Sequence, residues 1–386
     1  MILGLAFSPH SQAVTVLPGP FFTPATNAPL AGVLHLTTDV ASRVSVLVSD
    51  GTDTWERDFY DFAKVHEVPL YGFKPGRTNL IQVTAYDEYR NAYTAPKLLT
   101  FVTAPLPANF PHYTVLTSEP SQMEPGDTVF IIQNRSDSSA GYIIIMDNSG
   151  QVVWYRPVLQ ASDIDVEQLA DGNLFFHEQP PANRFLEMNL LGETVRTWAA
   201  PAGYPINSHE GVVTDHGTIL YLSDVSEVVS NFPSVLPRQS NNPNPPLKTV
   251  TVDDNPVVEI SITNGALLHV WSALNTLDPT RVTYLTADFP SSYGLDTEHA
   301  NAIIDDTNDN SIIVSQRDEN TIFKFSRDTG QLIWILAPPA GWPTNFQRYL
   351  LTPVGTPFEW CYGQHAPKLT PQGTLLVFDD GLDRAR

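Results

Sequence analysis

The chain has one cysteine, Cys361, among 386 residues. A single thiol excludes an internal disulfide and any multi-cysteine metal site. It fits a reducing compartment or an exported protein that avoids thiols. Charge is also scarce: Asp, Glu, Lys and Arg make up 16%, which argues against a disordered chain or a coiled coil. The basic sign is the rarer one, 21 against 42 acidic residues, for a net charge of −21. Nucleic acid and anionic membranes are therefore poor partners, and an anionic substrate must be received by a local basic site set against that field. No run of about 18 apolar residues is present, so no stable membrane insertion is expected. The opening MILGLAFSPHSQA has a short apolar patch without a basic residue before it. That is no more than a poor match to a signal peptide, and a trimmed or incomplete N-terminus is an equal reading.

What is present points to strands. Hydrophobic residues are 42% and aromatics 10%, enough for a sizeable core, and 33 Pro with 22 Gly are spread along the chain. Frequent turns and few long helices fit an all-β protein of many short strands. Residues 1–27 read as an irregular, proline-rich segment. Residues 28–104 read as a small β-sandwich: GVLHLTT, SRVSVLVSD and NLIQVTAYD alternate, broken by DGTD, KPGRTN and EYRNA. The stretch LYGFKPGRTNLIQVTAYDEYRN resembles the late strands of fibronectin-type or Ig-like sandwiches. Residues 105–113 read as a linker.

From residue 114 to 386 the chain repeats itself. A glycine turn is followed by a short strand ending in tryptophan: Gly150 to Trp154, Gly192 to Trp198, Gly265 to Trp271, Gly330 to Trp334. The spacings are 4, 6, 6 and 4. All are even, which on a regular strand places glycine and tryptophan on one face. A second hairpin follows in each unit: VEQLADGNLFF, GVVTDHGTILYLSD, AIIDDTNDNSIIVSQ, PKLTPQGTLLVFDD. Two hairpins make a four-stranded antiparallel sheet, and repeated sheets of this size are the signature of a β-propeller. An open β-solenoid is the other architecture such repeats allow. The insertion at 230–248, SNFPSVLPRQSNNPNPPLK, reads as a polar loop that caps a face or is mobile. Four units are clear, so the ring is expected to be incomplete in this chain, its closing C-terminal blades missing.

One side chain recurs at a matched place. His365 and His209 each lie eight residues before a turn glycine, Gly373 and Gly217, and His299 takes the matching place before a slightly longer turn. A lone histidine there is most simply a strand-end side chain bonded to a backbone carbonyl. Three at one blade position are expected to converge on one end of a central channel. Asn301 lies two residues after His299 and, on an extended strand, shares its face. Arg317 ends the next strand of that hairpin. It is either a surface partner of Asp318 or Glu319, or a forked donor for a tetrahedral oxyanion.

These residues sit in runs that resemble the bacterial arylsulfate sulfotransferases, the family that does not use the nucleotide sulfate donor. The runs are HANAIIDDTNDNSIIVSQRDENTIFKFSRDTGQLIWILAPPAGW, FEWCYGQHAPKLTPQGTLLVFDDG and NSHEGVV. The resemblance implies a small β domain before a six-bladed propeller. It also implies an aryl sulfate donor, a phenolic acceptor, a periplasmic or secreted location, and room for a homodimer. Position by position, it implies that His365 is transiently sulfurylated, while His209, His299, Asn301 and Arg317 hold the sulfuryl oxygens and poise the acceptor. The family continues past the Phe-Asp-Asn/Asp-Gly segment, where this chain stops. Ala337 stands where the family often has glycine.

The chemistry is coherent without the name. Sulfuryl transfer passes through a loose SO₃-like state, so the protein mainly positions the ends and stabilises charge, by analogy with phosphoryl transfer. A nucleophilic histidine divides the transfer into two steps, a ping-pong mechanism. A phenol benefits from a general base, for which His209 or His299 would serve. Trp360 and Tyr362 are candidates for an aromatic funnel, or else core packing. Two other readings stay open: a metal-assisted hydrolase with His209, His299 and His365 as a three-histidine site, and a non-catalytic ligand-binding propeller. No cofactor is expected. No glycine loop preceding a helix is present to cradle a nucleotide phosphate.

Overall fold

A computed structural model describes residues 14–17, 19–134, 141–158, 165–179, 181–240, 242, 244–287, 289, 291–355, 357–382 and 384. The opening 13 residues, with the poor signal-peptide match, lie outside them. The described chain is all-β: its helices are three 3-10 turns, Pro120–Gln122, Ala273–Asn275 and Gln347–Tyr349. None of the described helices is long and apolar enough to cross a membrane. The chain divides into two compact units, one of residues 1–162, 170–174 and 188–195, the other of 163–169, 175–187 and 196–386.

The first unit is organised by one long strand, Ala31–Ser49, which pairs with Phe21–Pro24, Thr54–Tyr71 and Thr78–Tyr86. Ala92–Thr94 and Leu99–Val102 complete a six-stranded sheet. The sandwich read from the sequence is therefore made of one continuous sheet, where separate sheets would be the usual construction. Register breaks between Thr37 and Val44 bend the long strand. Its alternating Leu34 and Leu36, then Val44, Val46 and Val48, enter a single core with Phe73, Ile81 and Phe101. That core also takes in Tyr142, Ile144, Val152 and Tyr155, from a sheet of Thr128–Gln133, Gly141–Met146 and Val152–Val158.

Propeller-like sheets follow in chain order. The strands Val166–Gln168, Leu174–Glu178, Arg184–Met188 and Thr194–Ala199 form one. Ile206–Val213, Thr218–Ser223, Val257–Ser261 and Leu267–Trp271 form the next, and Ala300–Asp306, Ser311–Gln316, Thr321–Ser326 and Leu332–Leu336 another. His365–Leu369 pairs with Leu375–Phe378. The hairpins combine half a unit out of phase with the sequence reading. Each four-stranded sheet opens with the hairpin read as second and closes with the tryptophan hairpin after it, as when Thr218–Ser223 pairs with Val257–Ser261.

The glycine-to-tryptophan repeat has a reason that parity along a strand does not capture. At the first turn, Gly150 N donates to Asp147 O at 2.8 Å and Asp147 N to Gln151 O at 2.9 Å. Gly150 adopts φ +79°, and the register shifts directly after it. The same left-handed glycine recurs at Gly192, Gly265 and Gly330. Such a bulge requires a residue without Cβ strain and breaks the regular alternation, so even spacing does not set the face. The tryptophans instead reach the next turn along the chain. Trp154 Nε1 donates to Leu190 O at 2.7 Å, and Trp198 Nε1 to Ile262 O at 2.8 Å. A Cβ on Gly330 would stand 3.4 Å from Trp271 Cδ1. Each of these indoles thus clasps the turn of the following tryptophan hairpin.

The 230–248 insertion is not all loop. Val225–Pro233 and Leu247–Asp254 pair antiparallel around it, and Leu295–Asp296 adds in parallel at Val252 and Asp253. This small sheet includes Asp296, three residues before His299. Because Trp198→Phe keeps an aromatic side chain but removes the pyrrole ring with its N–H and orphans the Ile262 carbonyl, it should destabilise the chain by at least about 1–3 kcal/mol. A lowered urea midpoint at unchanged slope would register that loss.

Candidate active site

The first strands of three successive sheets, Ile206–Val213, Ala300–Asp306 and His365–Leu369, pack in that order within the second unit. This packing brings together His209, His299, Arg317 and His365. The rings of His209 and His299 lie 5.0 Å apart in a T-shaped arrangement. Arg317 is buried, and its Nη1 donates to Asp318 Oδ1 at 2.5 Å. The expected pairing with Asp318 is present, but inside the protein rather than on its surface. The guanidinium carbon sits 4.8 Å from the ring centroid of Phe289, which itself lies 5.5 Å from His299. Arg317 and His299 both act electrostatically on His365.

Each imidazole is held through the same nitrogen. His209 Nδ1 lies 2.8 Å from Asn207 Oδ1, His299 Nδ1 2.6 Å from Asp296 Oδ2, and His365 Nδ1 3.0 Å from Gly363 O and 3.1 Å from Asp380 Oδ2. All four partners are acceptors, so the neutral rings carry their proton on Nδ1 and present Nε2 as a lone pair. The supports are themselves tied in. Asp224 accepts from Asn207 Nδ2 at 2.5 Å and Asn255 Nδ2 at 3.0 Å, while Asn255 Oδ1 accepts Ala300 N at 2.9 Å. Asp296 also takes the backbone N–H of His299 at 3.0 Å. This double hold accompanies a left-handed backbone at His299, φ +48°, a conformation that non-glycine residues adopt only under constraint.

Electrostatics separate the imidazoles. Burial pushes His365 below the usual histidine range, opposed by Asp380 and reinforced by Arg317 and His299. For His299 burial works in the same direction, but the hydrogen bond and charge of Asp296, with the charge of Asp318, outweigh it and hold it above that range. The surrounding carboxyls are short of cations. Burial lifts Asp318 and Asp253 to about 7, Asp254 to about 6, and Glu319 to about 7 even though Arg281 pairs with it.

Asn301 does not follow the alternation expected of it. The backbone leaves the extended region at His299, and the register shifts between Ala300 and Ala302. Asn301 is buried and donates to Gln364 O at 2.8 Å, beside His365. Trp360 and Tyr362 are half-buried. Among the described residues, their contacts run to Phe358, whose ring centroid lies 4.9 Å from that of Trp360, and to Asp379 and Leu382, which bond the Tyr362 backbone. The sequence reading missed Asn207, Asp296, Phe289 and Asp380. Asn207 and Asp296 carry a usable signal, an Asx side chain two or three residues before a histidine, where it can take the histidine's own N–H. Among the described residues, the carboxylate and imidazole atoms close enough to share a metal ion are those of Asp296, His299 and Asp318, within 4.8 Å of one another. That set differs from the three histidines considered above, and Arg317 already occupies one oxygen of Asp318.

The fold and the site define an all-β, propeller-like protein whose imidazoles gather beside a buried guanidinium. Residues 114–386 match the arylsulfotransferase (ASST) family, and the chain belongs to it. It is 26% identical over 298 residues to arylsulfate sulfotransferase AssT of Escherichia coli O6:H1, covering 63% of this chain and 47% of that protein. It is 24% identical over 298 residues to arylsulfate sulfotransferase AssT of Lelliottia amnigena, with the same coverage of 63% and 47%. The chain thus spans about half the length of the curated relatives it matches. Among solved structures, a protein of unknown function from Bacteroides caccae aligns over 78% of this chain and 96% of its own, at 8% identity and TM-score 0.33.

The lifted carboxyls have a consequence for stability. In the unfolded chain they ionise near pH 4, whereas in the folded chain Asp254 does so near 6 and Asp253, Asp318 and Glu319 near 7. Between those limits the native state binds more protons, so stability falls as pH rises through the window. Thermal unfolding should give a higher midpoint at pH 5 than at pH 7.5. Nuclear magnetic resonance titration should find His299 still protonated at a pH where His365 is neutral.

Proposed function

We propose that the chain is an arylsulfotransferase that moves a sulfuryl group from an aryl sulfate to a phenol through a sulfohistidine at His365. The observation that carries this reading is the pairing of a depressed, Nδ1-held His365 with the raised His299 and the buried Arg317. Membership of the arylsulfotransferase family supports it. Groups whose environments push their basicities apart are suited to different roles in one reaction.

In the first half-reaction the Nε2 lone pair of His365 forms the N–S bond. The S–O bond to the aryl group breaks, and its electron pair leaves on the phenolate oxygen. Protonated His299 supplies the proton that makes this leaving group phenol. The three sulfuryl oxygens carry most of the charge, and Arg317 is the local cation that receives them against a strongly acidic chain. In the second half-reaction an acceptor phenol gives its proton to His299, or to His209 beside it. Its oxygen then attacks sulfur, and His365 recovers its lone pair. Asn301, by fixing the Gln364 carbonyl, keeps the backbone next to the nucleophile in place.

Metal-assisted hydrolysis has one observation in its favour, the Asp296, His299 and Asp318 grouping. A cation there would face the guanidinium on Asp318, and like charges so close are unfavourable. Brief exposure to 4-nitrophenyl sulfate without acceptor should leave one sulfuryl adduct, on His365, by peptide mass spectrometry. His365→Asn should show neither adduct nor turnover, and turnover retained in that variant overturns the proposal. Arg317→Ala should lower the rate of adduct formation by about 10²–10³-fold, the range for losing one donor to a developing oxyanion.

A further inference from the structure

Asp380 stands 3.1 Å from His365 Nδ1 through its Oδ2. It arrives from the far end of the same hairpin, two residues beyond Phe378, which pairs with His365. The turn that carries it is fixed independently. Asp379 accepts from Tyr362 N at 3.0 Å and Gly381 N at 2.9 Å, Leu382 N donates to Tyr362 O at 3.3 Å, and Arg384 pairs with both Asp379 and Glu359. Asp380 itself is spared from these bonds and aimed at the imidazole. The Gly363 carbonyl, 3.0 Å from the same Nδ1, suffices to orient the ring. A carboxylate at the same nitrogen adds something the carbonyl lacks, a full negative charge.

We propose that Asp380 is a positioning residue that governs how fast the His365 adduct forms and how long it lasts. The inference rests on the reading of His365 as nucleophile. When Nε2 bonds to sulfur with the Nδ1 proton in place, the ring becomes an imidazolium bearing an SO₃⁻ group. No proton leaves Nδ1, and the positive charge that develops there faces the Asp380 carboxylate. The ion pair stabilises the adduct relative to the free ring. It therefore speeds labelling and slows loss of the sulfuryl group to water or acceptor. The other charged groups facing this ring, Arg317 and His299 from the neighbouring hairpin, act in the opposite sense, and Asp380 is the group that offsets them.

The test uses the full chain with 4-nitrophenyl sulfate, following 4-nitrophenolate release in the labelling step and disappearance of the adduct afterwards. Asp380→Ala should label about tenfold more slowly and lose its adduct about tenfold faster, the effect of one pKa unit. Asp380→Asn keeps an acceptor at the same place without the charge. It should preserve the Nδ1–H tautomer in imidazole ¹⁵N spectra while moving both rates in the same directions. In both variants the His365 pKa should fall by about one unit, a change that loss of packing alone would not produce in the Asn variant. Unchanged half-reaction rates with an unchanged His365 titration overturn the inference. If the wild-type chain takes no label, the nucleophile reading fails instead, and the ¹⁵N titration still decides whether Asp380 charges the ring.

Discussion

Trp154, Trp198 and Trp271 each meet the turn of the next tryptophan hairpin, a contact that ties one hairpin to the next. An indole is large and rigid, and its single N–H must find an acceptor when buried. Trp198 meets both requirements at the Ser261–Gly265 turn, with its ring against the glycine and its N–H on Ile262 O. The clasp lies at the last strand of one sheet, and the first strands of successive sheets pack on one another. His209, His299 and His365 all ride on or beside those first strands. The same sheets bring together, through their first strands, side chains separated by 90 and 66 residues.

Inside that frame the electrostatics are severe. A chain of net charge −21 gathers carboxyls close to Arg317, and several lack a full counter-charge. Asp318 Oδ2 and Asp254 Oδ1 are buried with no hydrogen-bond partner among the described residues. Such groups hold protons into the neutral range instead of charge, and so leave Arg317 less neutralised than a count of acids suggests. The same burial that lifts the carboxyls lowers His365, while direct pairing with Asp296 reverses its effect on His299. One dielectric environment yields two different imidazoles because only one has a closely bonded, buried carboxylate.

Much of the fold was legible from local signals. Turn glycines, alternating strands and paired hairpins identified the elements of the second unit, and matched histidines marked their first strands. The pairing of hairpins into sheets was not legible, because either neighbour of a given hairpin offers an equally apolar edge. The bent Ala31–Ser49 strand was hidden for a related reason: its two halves alternate correctly on either side of the break at Thr37–Val44, so they read as separate strands. At the site, residue type and spacing found the imidazoles and the guanidinium. They could not reveal Phe289, which lies outside the repeated hairpins, or Asp380, which stands past the end of its hairpin's second strand, where spacing does not set the direction of a side chain. The alternation assumed between His299 and Asn301 does not hold, because the backbone at His299 is not extended.

The small sheet of Val225–Pro233, Leu247–Asp254 and Leu295–Asp296 joins an insertion to the strand that carries Asp296. Its base, at Val252 and Asp253, lies beside the Asp296 strand; beyond the Ser234 N–Pro246 O bond of 2.8 Å, Leu236 packs back against the cluster of Val229, Phe232 and Val252, and Arg238 covers the Tyr284 ring at 5.0 Å. A polar replacement of Leu236 would therefore be felt next to Leu295, the neighbour of the Asp296 that holds His299. The insertion is thereby tied to the upkeep of one imidazole, and its length and composition are constrained from that end.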